Sequence, residues 1–548
     1  MPRCGRRRAA GSRTAVSPLR IPLEGVSRLN KSFCNKCGDL VPAERAIRGE
    51  EVFLVKQCPK CGPNETMISS HADRHMSKRG LDPGFSVGRC EVECVTCDHH
   101  REPTYAFVDV TNRCNMNCPM CADSVPGHGF VFEPPLEHFE KIFQHLATFD
   151  TLPTVALFGG EPTVRDDLVD IVNLARKYGM KVRVLTNGIR LADEDYCRRL
   201  VESRAHLLVS YDGNKPECYK QLRGTDKVLP LKLKAVENLN KMRRARVSYV
   251  TCFSWGMNDK DLPEILDFYH RQHRILHGVY LMPLVQVWKP GEFDYQPKRM
   301  TTEDVEAMVA DNFPGYNAKF ISLGLASHFQ VIAKYLKHEA LPYYGTHPNC
   351  ESFYLLVSDG QRYVPVDHYL KTSLPEIAEA MLELEKRLLA REERWTTSKM
   401  GRVLGALRLR NFTLRMTGLA KLMGVLRRHI AFGRAFKGNG LGKAWHILAT
   451  VAELTVRCKS ERVRARHMNV HHALRIVILP LEDDPILETE RLERCPSVHV
   501  YYDPRTDSFN YVPVCSWRLF NKKLLKDITD HYAGVQEPAK EEAVAAGT

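Results

Sequence analysis

The feature that most constrains this chain is a cysteine loop that directly follows a predicted β-strand. Tyr105–Thr111 has the pattern of a strand, and Cys114, Cys118 and Cys121 come just after it with Cys-x3-Cys-x2-Cys spacing. Three thiolates on one short loop can ligate three irons of a cubane cluster and leave the fourth iron open for chemistry. A zinc knuckle is the alternative, but it needs a fourth Cys or His nearby. The loop therefore predicts a catalytic iron–sulfur cluster.

Strands and helices alternate regularly after this loop. Further strands are predicted at Thr154–Phe158, Lys181–Leu185, His206–Ser210, Val247–Phe253 and Val279–Leu284. The predicted helices between them are Pro135–Leu146, Leu168–Tyr178, Glu194–Glu202, Leu231–Met242 and Asp261–His270. This alternation predicts an α/β fold with a parallel sheet, and the ligand site of such a sheet lies at the carboxyl ends of its strands.

Three further motifs occur at the ends of predicted strands. They are Gly159-Gly160-Glu161-Pro162-Thr163, Thr186-Asn187-Gly188 and Ser210-Tyr211-Asp212-Gly213. Together with the cysteine loop, these motifs resemble those of the radical S-adenosylmethionine (SAM) superfamily, and they appear in the same order. The resemblance implies a partial (β/α)6 barrel that binds a [4Fe-4S] cluster and SAM, and that splits SAM reductively to a 5′-deoxyadenosyl radical for C–H activation.

The resemblance also implies which residues bind SAM. Glu161 takes the role of binding the SAM amino group, and the glycines before it allow a close approach of the backbone to a ligand. The implied cofactor-binding residues are Gly159, Gly160, Glu161, Pro162, Thr186, Asn187, Ser210, Asp212, Arg223 and Asn258. One departure is Met120, because the family usually has an aromatic residue just before the third cysteine. A polarizable Met can fill that place.

Two further cysteine groups have metal-ligand spacing. Cys34, Cys37, Cys58 and Cys61 form CxxC-x20-CxxC, which predicts a tetrahedral Cys4 knuckle for zinc or for rubredoxin-like mononuclear iron. Cys90, Cys94 and Cys97 repeat the spacing of the catalytic loop, and we expect an auxiliary Fe–S cluster there. The candidates for its missing fourth ligand are His99, His100, Cys350, Cys495 and Cys515. Cys197, Cys218 and Cys458 are interpreted as ordinary buried thiols, and Cys252 is left undecided.

Residues 30 to 285 are similar to the tetraether-synthase group, which carries a rubredoxin-like site, a Cys-x3-Cys-x2-Cys-x2-His element and the Val110–Cys121 motif in this order. Members of that group often have another Cys before the first barrel strand, where this chain has Pro103-Thr104. The resemblance implies carbon–carbon coupling of membrane-lipid alkyl tails. The alternative function is that of a radical SAM methyltransferase or a cofactor- or peptide-modifying enzyme. A non-catalytic scaffold is disfavoured by the complete set of motifs.

The positive charge of the chain is concentrated in one segment. Its formal net charge is +14, yet Gly401–Val470 alone contains fifteen Lys or Arg against two acids, Glu453 and Glu461. Basic residues interleaved with Leu and Met suit an anionic lipid surface, and a packed helix pair with a solvated basic face is the alternative. The aromatics there show no RNA-binding pattern, so no nucleic-acid partner is expected. The expected partners are SAM, a lipid substrate and a low-potential electron donor such as ferredoxin or flavodoxin.

Eighteen cysteines in metal-ligand patterns and the lack of a long apolar run predict a reducing cytoplasmic setting, with peripheral contact to a membrane. The expected organisation is a disordered basic tail (1–30), the knuckle (31–66), an auxiliary-cluster segment (67–103), the barrel (104–295), a mainly helical region with basic amphipathic helices that also carries auxiliary-cluster cysteines (296–535) and a disordered tail (536–548). Within the helical region, β-like segments are predicted at Arg475–Leu479, Val498–Tyr502 and Tyr511–Cys515.

Overall fold

A computed structural model describes most of the chain. The residues described are 30–82, 90–97, 103–123, 127–288, 293–336, 346–399, 410–455 and 460–536. Some of the predictions fall on residues outside these ranges. These residues are 1–29 and 537–548 of the two predicted tails, His99, His100 and Cys458.

The N-terminal part is a small antiparallel sheet that carries the four knuckle cysteines. Its strands are β1 (Lys31–Phe33), β2 (Leu40–Arg48), β3 (Glu51–Cys58) and β4 (Gly62–Ser69), paired in sequence order. The turn after β1 holds Cys34 and Cys37, and the turn between β3 and β4 holds Cys61, with Cys58 at the end of β3. Helix α1 (Ala72–Gly80) follows this sheet.

The next part is the predicted series of βα units. Its strands are β5 (Tyr105–Thr111), β6 (Thr154–Gly159), β7 (Lys181–Thr186), β8 (His206–Ser210), β9 (Val247–Phe253) and β10 (Leu276–Pro283). The helices are α2 (Leu136–Leu146), α3 (Leu168–Lys177), α4 (Glu194–Glu202), α5 (Pro216–Arg223), α6 (Val228–Lys241) and α7 (Leu262–Arg271). The six strands pair side by side in parallel, so the predicted α/β architecture is confirmed. Helix α5 is an addition to the helices that the pattern predicted.

The C-terminal region contributes both helices and strands. Its helices are α8 (Thr302–Asp311), α9 (Gln330–Leu336), α10 (Leu374–Thr397), α11 (Arg410–His429), α12 (Phe432–Ala435), α13 (Gly440–Thr455), α14 (Ser460–His467), α15 (Thr489–Glu493) and α16 (Asn521–Gln536). Its strands are β11 (Ile321–Ser322), β12 (Ser352–Ser358), β13 (Tyr363–Pro365), β14 (His472–Ile478), β15 (Ser497–Asp503) and β16 (Ser508–Pro513). The three predicted β-like segments correspond to β14, β15 and β16.

Two of these strands flank the six-stranded series in parallel. Strand β14 pairs with β10, for example Ile476 beside Val279, and β15 pairs with β5, for example His499 beside Phe107. Among the described residues, eight neighbouring strands are therefore parallel, in the order β14-β10-β9-β8-β7-β6-β5-β15. Because parallel strands align their carboxyl ends, β14 and β15 also contribute to the site.

The main hydrophobic core lies between this sheet and the helices around it. Strand residues such as Val108, Val155 and Val184 pack there against helix residues such as Phe139 and Ile171, all of which are buried. Strands that are buried on both faces have nearly continuous apolar sequences, and β5 is an example. No helix within the described ranges combines the length and the apolar character that a membrane span requires.

The N-terminal sheet is fastened to the segment that joins β14 to β15. Arg45 on β2 forms ion pairs with Glu488 (2.5 Å) and Glu490 (2.8 Å), and all three side chains are largely buried. Buried Lys56 donates hydrogen bonds to Asn35 and to the backbone oxygen of Pro485. Such buried pairs fix how the two parts meet, because a misplaced partner would leave a charge without compensation.

Candidate active site

The cysteine loop after β5 forms one wall of a cavity of about 290 Å³. Cys114, Cys118 and Cys121 all line this cavity, and the loop closes on itself through a bond from the Cys121 N–H to the Cys118 oxygen (3.1 Å). The three thiols therefore face a shared space, as the predicted ligands of one cluster should. Met120, the departure from the family pattern, also lines the cavity and packs against Cys252, Leu284 and Phe293.

The glycine turn after β6 is held against the cysteine loop by its backbone. Gly160 N–H donates to the Thr111 oxygen (2.8 Å), and Glu161 N–H donates to the Arg113 oxygen (2.9 Å). Gly159 has a φ of +121°, and a Cβ there would lie 2.1 Å from the Thr111 oxygen. A Cβ on Gly160 would lie 2.3 Å from the Arg113 oxygen. Only glycine fits at both positions, because the neighbouring atoms are backbone and cannot move aside.

Glu161 links the ends of β6 and β7 through a buried carboxylate. Its Oε1 accepts hydrogen bonds from the Thr163 N–H (3.0 Å), the Thr163 hydroxyl (2.6 Å) and the Thr186 hydroxyl (2.7 Å), and Oε2 accepts from the Asn187 N–H (2.6 Å). The Asn187 amide in turn donates to Asn115 on the cysteine loop (2.7 Å). Glu161, Thr186 and Asn187 also line the cavity. The motif residues thus form one connected network beside the cysteines.

Asp212 and Asn258 lie behind the cavity wall, whereas Ser210 and Arg223 lie on it. Asp212 is fully buried, and it accepts from Arg223 Nε (2.8 Å) and Nη2 (3.2 Å) and from the Cys252 N–H (3.0 Å). Burial alone would lower the pKa of Arg223, but the Asp212 carboxylate holds this pKa well above its ordinary value. Asn258 donates to the backbone oxygens of Asp212 and Cys252. Asp212 and Asn258 therefore act on the cavity through Arg223 and through the strand ends.

Residues 108–269 match the model of the Radical SAM superfamily, and residues 26–70 match the HMPTM N-terminal zinc ribbon domain. The chain carries a radical SAM domain. The prediction of a radical SAM enzyme that uses a [4Fe-4S] cluster and SAM is confirmed, and so is the prediction of a metal knuckle in front of the barrel. The choice between zinc and iron in the knuckle, and the individual SAM contacts, stay predictions.

The chain is similar to several known proteins. It is 27% identical to 7,8-dihydro-6-hydroxymethylpterin dimethyltransferase of Methanocaldococcus jannaschii over 69% of this chain and 76% of that protein. It is 29% identical to the probable GTP 3′,8-cyclase of Thermococcus kodakarensis over 33% of this chain, and it spans only 58% of that protein. A solved structure of SuiB from Streptococcus suis, bound to S-adenosylmethionine, matches 38% of this chain and 47% of SuiB at 16% identity, with a TM-score of 0.34.

Lys232 on α6 is a residue of the radical SAM domain that the sequence motifs missed. Its buried ammonium donates to the backbone oxygens of Asn187 (2.5 Å) and Ser210 (2.8 Å) and to the Ser210 hydroxyl (2.8 Å). It therefore joins the ends of β7 and β8. Burial lowers the pKa of Lys232 to about 8. Nothing in the sequence of α6 distinguishes Lys232 as a site residue, because lysines are common on helices that pack at a protein surface.

The C-terminal region supplies a further part of the cavity wall. Leu481 and Glu482 follow β14, His499 lies on β15, and Val514, Cys515 and Arg518 follow β16. Nδ1 of His499 lies 2.6 Å from Asp109 Oδ2, and its ring stacks on Trp517 at 4.4 Å. Because Asp109 fixes one ring nitrogen, Nε2 is the nitrogen left for a ligand. No motif marked this Asp–His pair, because its members are 390 residues apart.

Six further cysteines are candidate ligands of auxiliary clusters, and one of them, Cys515, packs into the same apolar cluster as Cys90. Cys90, Cys94 and Cys97 follow one another on one short segment, and burial raises the pKa of Cys90 to about 12, with a smaller contribution from the charges of Cys94 and Cys97. Cys350, Cys495 and Cys515 form the other group. Burial raises the pKa of Cys495 well above its ordinary value, and nearby Cys515 and Cys350 add to this effect.

Two charged side chains lie beside the second cysteine group. Arg491 Nε donates to the Cys350 sulfur (3.2 Å), and Arg491 pairs with buried Glu482 (2.5 Å). Thiolates are the usual ligands of iron–sulfur clusters, so both sets of cysteines offer suitable donor atoms. By contrast, Cys197 and Cys218 are buried in apolar surroundings, as ordinary thiols are, and Cys252 lines the cavity.

The knuckle cysteines meet the requirement for a tetrahedral site. The sulfurs of Cys34, Cys37, Cys58 and Cys61 all lie within 4.8 Å of one another. The Cys34 sulfur accepts from the Lys36 N–H (3.5 Å), and the Cys58 sulfur accepts from the Cys61 N–H (3.3 Å). Backbone N–H groups directed at sulfur stabilise the thiolate form that binds metal.

Proposed function

We propose that this radical SAM enzyme joins the alkyl tails of membrane lipids by forming carbon–carbon bonds. The observation that carries the proposal is the apolar wall of the cavity beside the cysteine loop. This wall includes Met116, Met120, Phe158, Leu185, Leu208, Val250, Met282, Leu284, Val285, Val287, Leu481 and Val514. Moving an alkyl chain from water onto such a surface is favourable by about 0.8 kcal/mol per buried CH2 group.

The reaction balances with two SAM molecules per bond. Coupling breaks one C–H bond in each tail and forms one C–C bond, so two hydrogen atoms leave the lipid and appear in two molecules of 5′-deoxyadenosine. A low-potential donor such as ferredoxin or flavodoxin supplies the two electrons that cleave SAM. The chain's own residues orient SAM and substrate and exclude water.

The SAM contacts belong to the same proposal. SAM lies against Gly159, Gly160 and Glu161 and beside Asn187, Ser210 and Arg223. Pro162 and Thr186 shape the turns beside it, and Asp212 and Asn258 hold Arg223 and the strand ends in place. This arrangement is supported by the hydrogen bonds that connect Glu161 through Asn187 to Asn115 on the cysteine loop, and by the Asp212–Arg223 pair.

Auxiliary clusters are proposed at both remaining cysteine groups. Cys90, Cys94 and Cys97 supply three ligands of one cluster, and Cys350, Cys495 and Cys515 supply three ligands of another. Support comes from the metal-ligand spacing of Cys90, Cys94 and Cys97 and from the buried Arg491, which donates to the Cys350 sulfur and offsets negative charge at the second group.

Methyl transfer to a polar substrate is the second candidate function. It is favoured by the similarity to a protein named 7,8-dihydro-6-hydroxymethylpterin dimethyltransferase and by three polar side chains in the cavity wall, Asp123, His499 and Arg518. A polar heterocycle would hydrogen bond to these groups, whereas an alkyl tail would not.

An anaerobic assay with both substrate classes separates the two functions. The reconstituted, reduced protein is incubated with SAM and either a membrane-lipid extract or a reduced pterin, and products are identified by mass spectrometry. Lipid coupling predicts a lipid product whose mass is the sum of its parts less two hydrogens. A methylated pterin without a lipid product would contradict lipid coupling and establish the alternative.

A variant of the wall tests where the lipid binds. Leu481→Arg should reduce lipid coupling at least about tenfold, because a charge in the apolar wall must be desolvated. The substrate-independent cleavage of SAM should continue, since Leu481 lies outside the SAM motifs. Leu519→Arg is the matched control, because Leu519 is 38% exposed and does not line the cavity. Equal lipid coupling in both variants would contradict the assignment of this wall.

A further inference from the structure

Helix α13 presents an apolar face to the outside of the molecule. Leu441, Trp445 and Leu448 are spaced by four and three residues, so they share one face, and they are 91%, 66% and 66% exposed. We call these three residues the α13 face. Three large apolar side chains on one exposed helical face are uncommon on a soluble surface, and they indicate a binding site.

The opposite side of α13 is firmly packed, so the outward face is not a consequence of a loose helix. Ala449 and Thr450 are buried, and Ile447 packs into the cluster formed by Val357, Tyr369 and Phe436. His446 is hydrogen bonded to His467 on α14 (3.0 Å). The helix is therefore fixed to the molecule through Ile447 and His446, while Leu441, Trp445 and Leu448 point away from it.

The chain segment that carries the α13 face is basic. Arg462 and Arg466 are exposed on α14, which packs against α13, and Arg427, Arg428 and Arg434 are exposed on the two helices that precede α13 in the chain. Glu453, one of the two acids in Gly401–Val470, already pairs with Arg466 (2.6 Å) and lies 3.2 Å from His467. The helices of this region therefore carry an excess of positive charge beside their exposed apolar side chains.

A second helix repeats this pattern on part of its surface. Helix α11 buries Leu414 and Leu422 against α9 and α10, as expected for a packed helix pair. Yet Phe412 and Met416, spaced by four residues, are 64% and 49% exposed. Packing alone thus accounts for the buried residues of this basic segment but not for its exposed apolar ones.

We propose that the α13 face inserts into the surface of an anionic lipid bilayer while the surrounding arginines contact its phosphates. An apolar face within a basic surface is the pattern of interfacial helices, whose affinity combines buried apolar area with attraction to anionic lipids. Tryptophan is also a residue that favours the membrane–water interface. The inference deepens the proposed lipid function, because a lipid-coupling enzyme must collect its substrate from a membrane.

The test is co-sedimentation of the full, metal-loaded chain with vesicles, compared between phosphatidylglycerol-containing and pure phosphatidylcholine membranes. Binding should be stronger to the anionic vesicles and should weaken with added salt. Changing Leu441, Trp445 and Leu448 together to Ser should weaken the binding about tenfold or more, because the apolar contribution is lost. The matched control changes Leu231 and Leu233 on α6 to Ser, which are 42% and 37% exposed and lie outside the basic region. The control should bind as the unmodified chain does.

Tryptophan fluorescence gives an independent readout. Vesicles should shift the emission of the unmodified chain to shorter wavelength, and Trp445→Phe should remove this shift while keeping vesicle binding. Equal vesicle binding by the Ser variant and its control would overturn the proposal. The proposal would also be overturned if the Ser variant bound vesicles normally but changed from dimer to monomer, because the α13 face would then join two copies of the chain. Lipid coupling in detergent is measured in parallel, so loss of vesicle binding with coupling retained supports the docking role separately from the reaction.

Discussion

At the scale of single residues, the site depends on backbone atoms that approach one another too closely for any side chain. Gly159 and Gly160 bring the turn after β6 against the Thr111 and Arg113 oxygens, and two hydrogen bonds fix this contact. The cysteine loop is therefore positioned by a neighbouring turn as well as by its own strand. A side chain at either glycine would displace the loop that carries the cluster ligands.

Gly160→Ala tests this contact. The added methyl group would lie 2.3 Å from a backbone oxygen, so the loop must shift, at a cost of about 1–3 kcal/mol. We expect a lower iron content after reconstitution and weaker SAM binding, measured by iron analysis and by equilibrium binding. Gly424→Ala on α11 is the control, because nothing lies within 4 Å of its Cβ position. Normal iron content and SAM affinity in Gly160→Ala would contradict the argument.

A buried histidine gives the fold a pH dependence. Burial lowers the pKa of His138 from 6.5 to about 3, and its Nδ1 lies 3.2 Å from the Tyr532 hydroxyl. Below about pH 6.5 the unfolded chain binds a proton that the folded chain excludes, so His138 reduces stability as pH falls, by up to about 1.4 kcal/mol per pH unit.

His138→Gln should remove this contribution. The difference in unfolding free energy between the original chain and the variant should become smaller as the pH is lowered from 8 to 5.5. Anaerobic urea unfolding measures both free energies. His273→Gln is the control, because His273 is exposed. A difference that stays constant with pH for His138→Gln would show that burial does not hold this histidine neutral.

At the scale of elements, much of the barrel could be predicted, because each βα unit has its own local sequence pattern. Strands β5, β8 and β9 have the predicted bounds, and the motif residues at the strand ends do line or support the cavity. The places of β14 and β15 beside the barrel could not be predicted, because their partners β10 and β5 are far away in sequence. Lys232 and the Asp109–His499 pair were missed for the same reason, since contacts made only in the fold leave no local pattern.

The Asp109–His499 pair couples β5 to β15, and a double-mutant cycle measures this coupling. Asp109→Leu alone leaves a buried imidazole nitrogen without its partner and should cost about 1–3 kcal/mol. His499→Phe keeps the stack on Trp517, and the double variant should be nearly as stable as the original chain, because both partners are then apolar. Urea unfolding supplies the free energies. Additive effects of the two changes would contradict the coupling.

At the scale of the whole molecule, one cavity is built from distant parts of the chain. Its walls run from Cys114 on the first barrel loop to Arg518 near the C-terminus. The N-terminal sheet reaches the same region indirectly, because it holds the segment between β14 and β15 through Arg45. That segment carries Glu482, Arg491 and Cys495, so the knuckle supports the proposed second auxiliary site.

Arg45→Met should loosen this connection. It leaves Glu488 and Glu490 as buried charges without their main partner, at a cost of about 3–5 kcal/mol. We expect faster hydrogen exchange in residues 482–495 and a lower iron content per chain. Arg48→Met is the matched control, because Arg48 lies on the same strand but is 44% exposed and pairs with Glu65 inside the sheet. Unchanged exchange in Arg45→Met would show that the knuckle does not support this segment.

The most direct test of the account is SAM cleavage by the purified chain under anaerobic conditions. Iron and sulfide are counted, the protein is reduced with SAM present, and 5′-deoxyadenosine is measured beside a Cys118→Ala variant. We expect deoxyadenosine from the original chain and none from the variant, and the two proposed auxiliary clusters predict about twelve irons per chain if both are [4Fe-4S] clusters. A fully loaded and reduced protein that forms no deoxyadenosine even with lipid and pterin substrates present, or a Cys118→Ala variant with full activity, would contradict it.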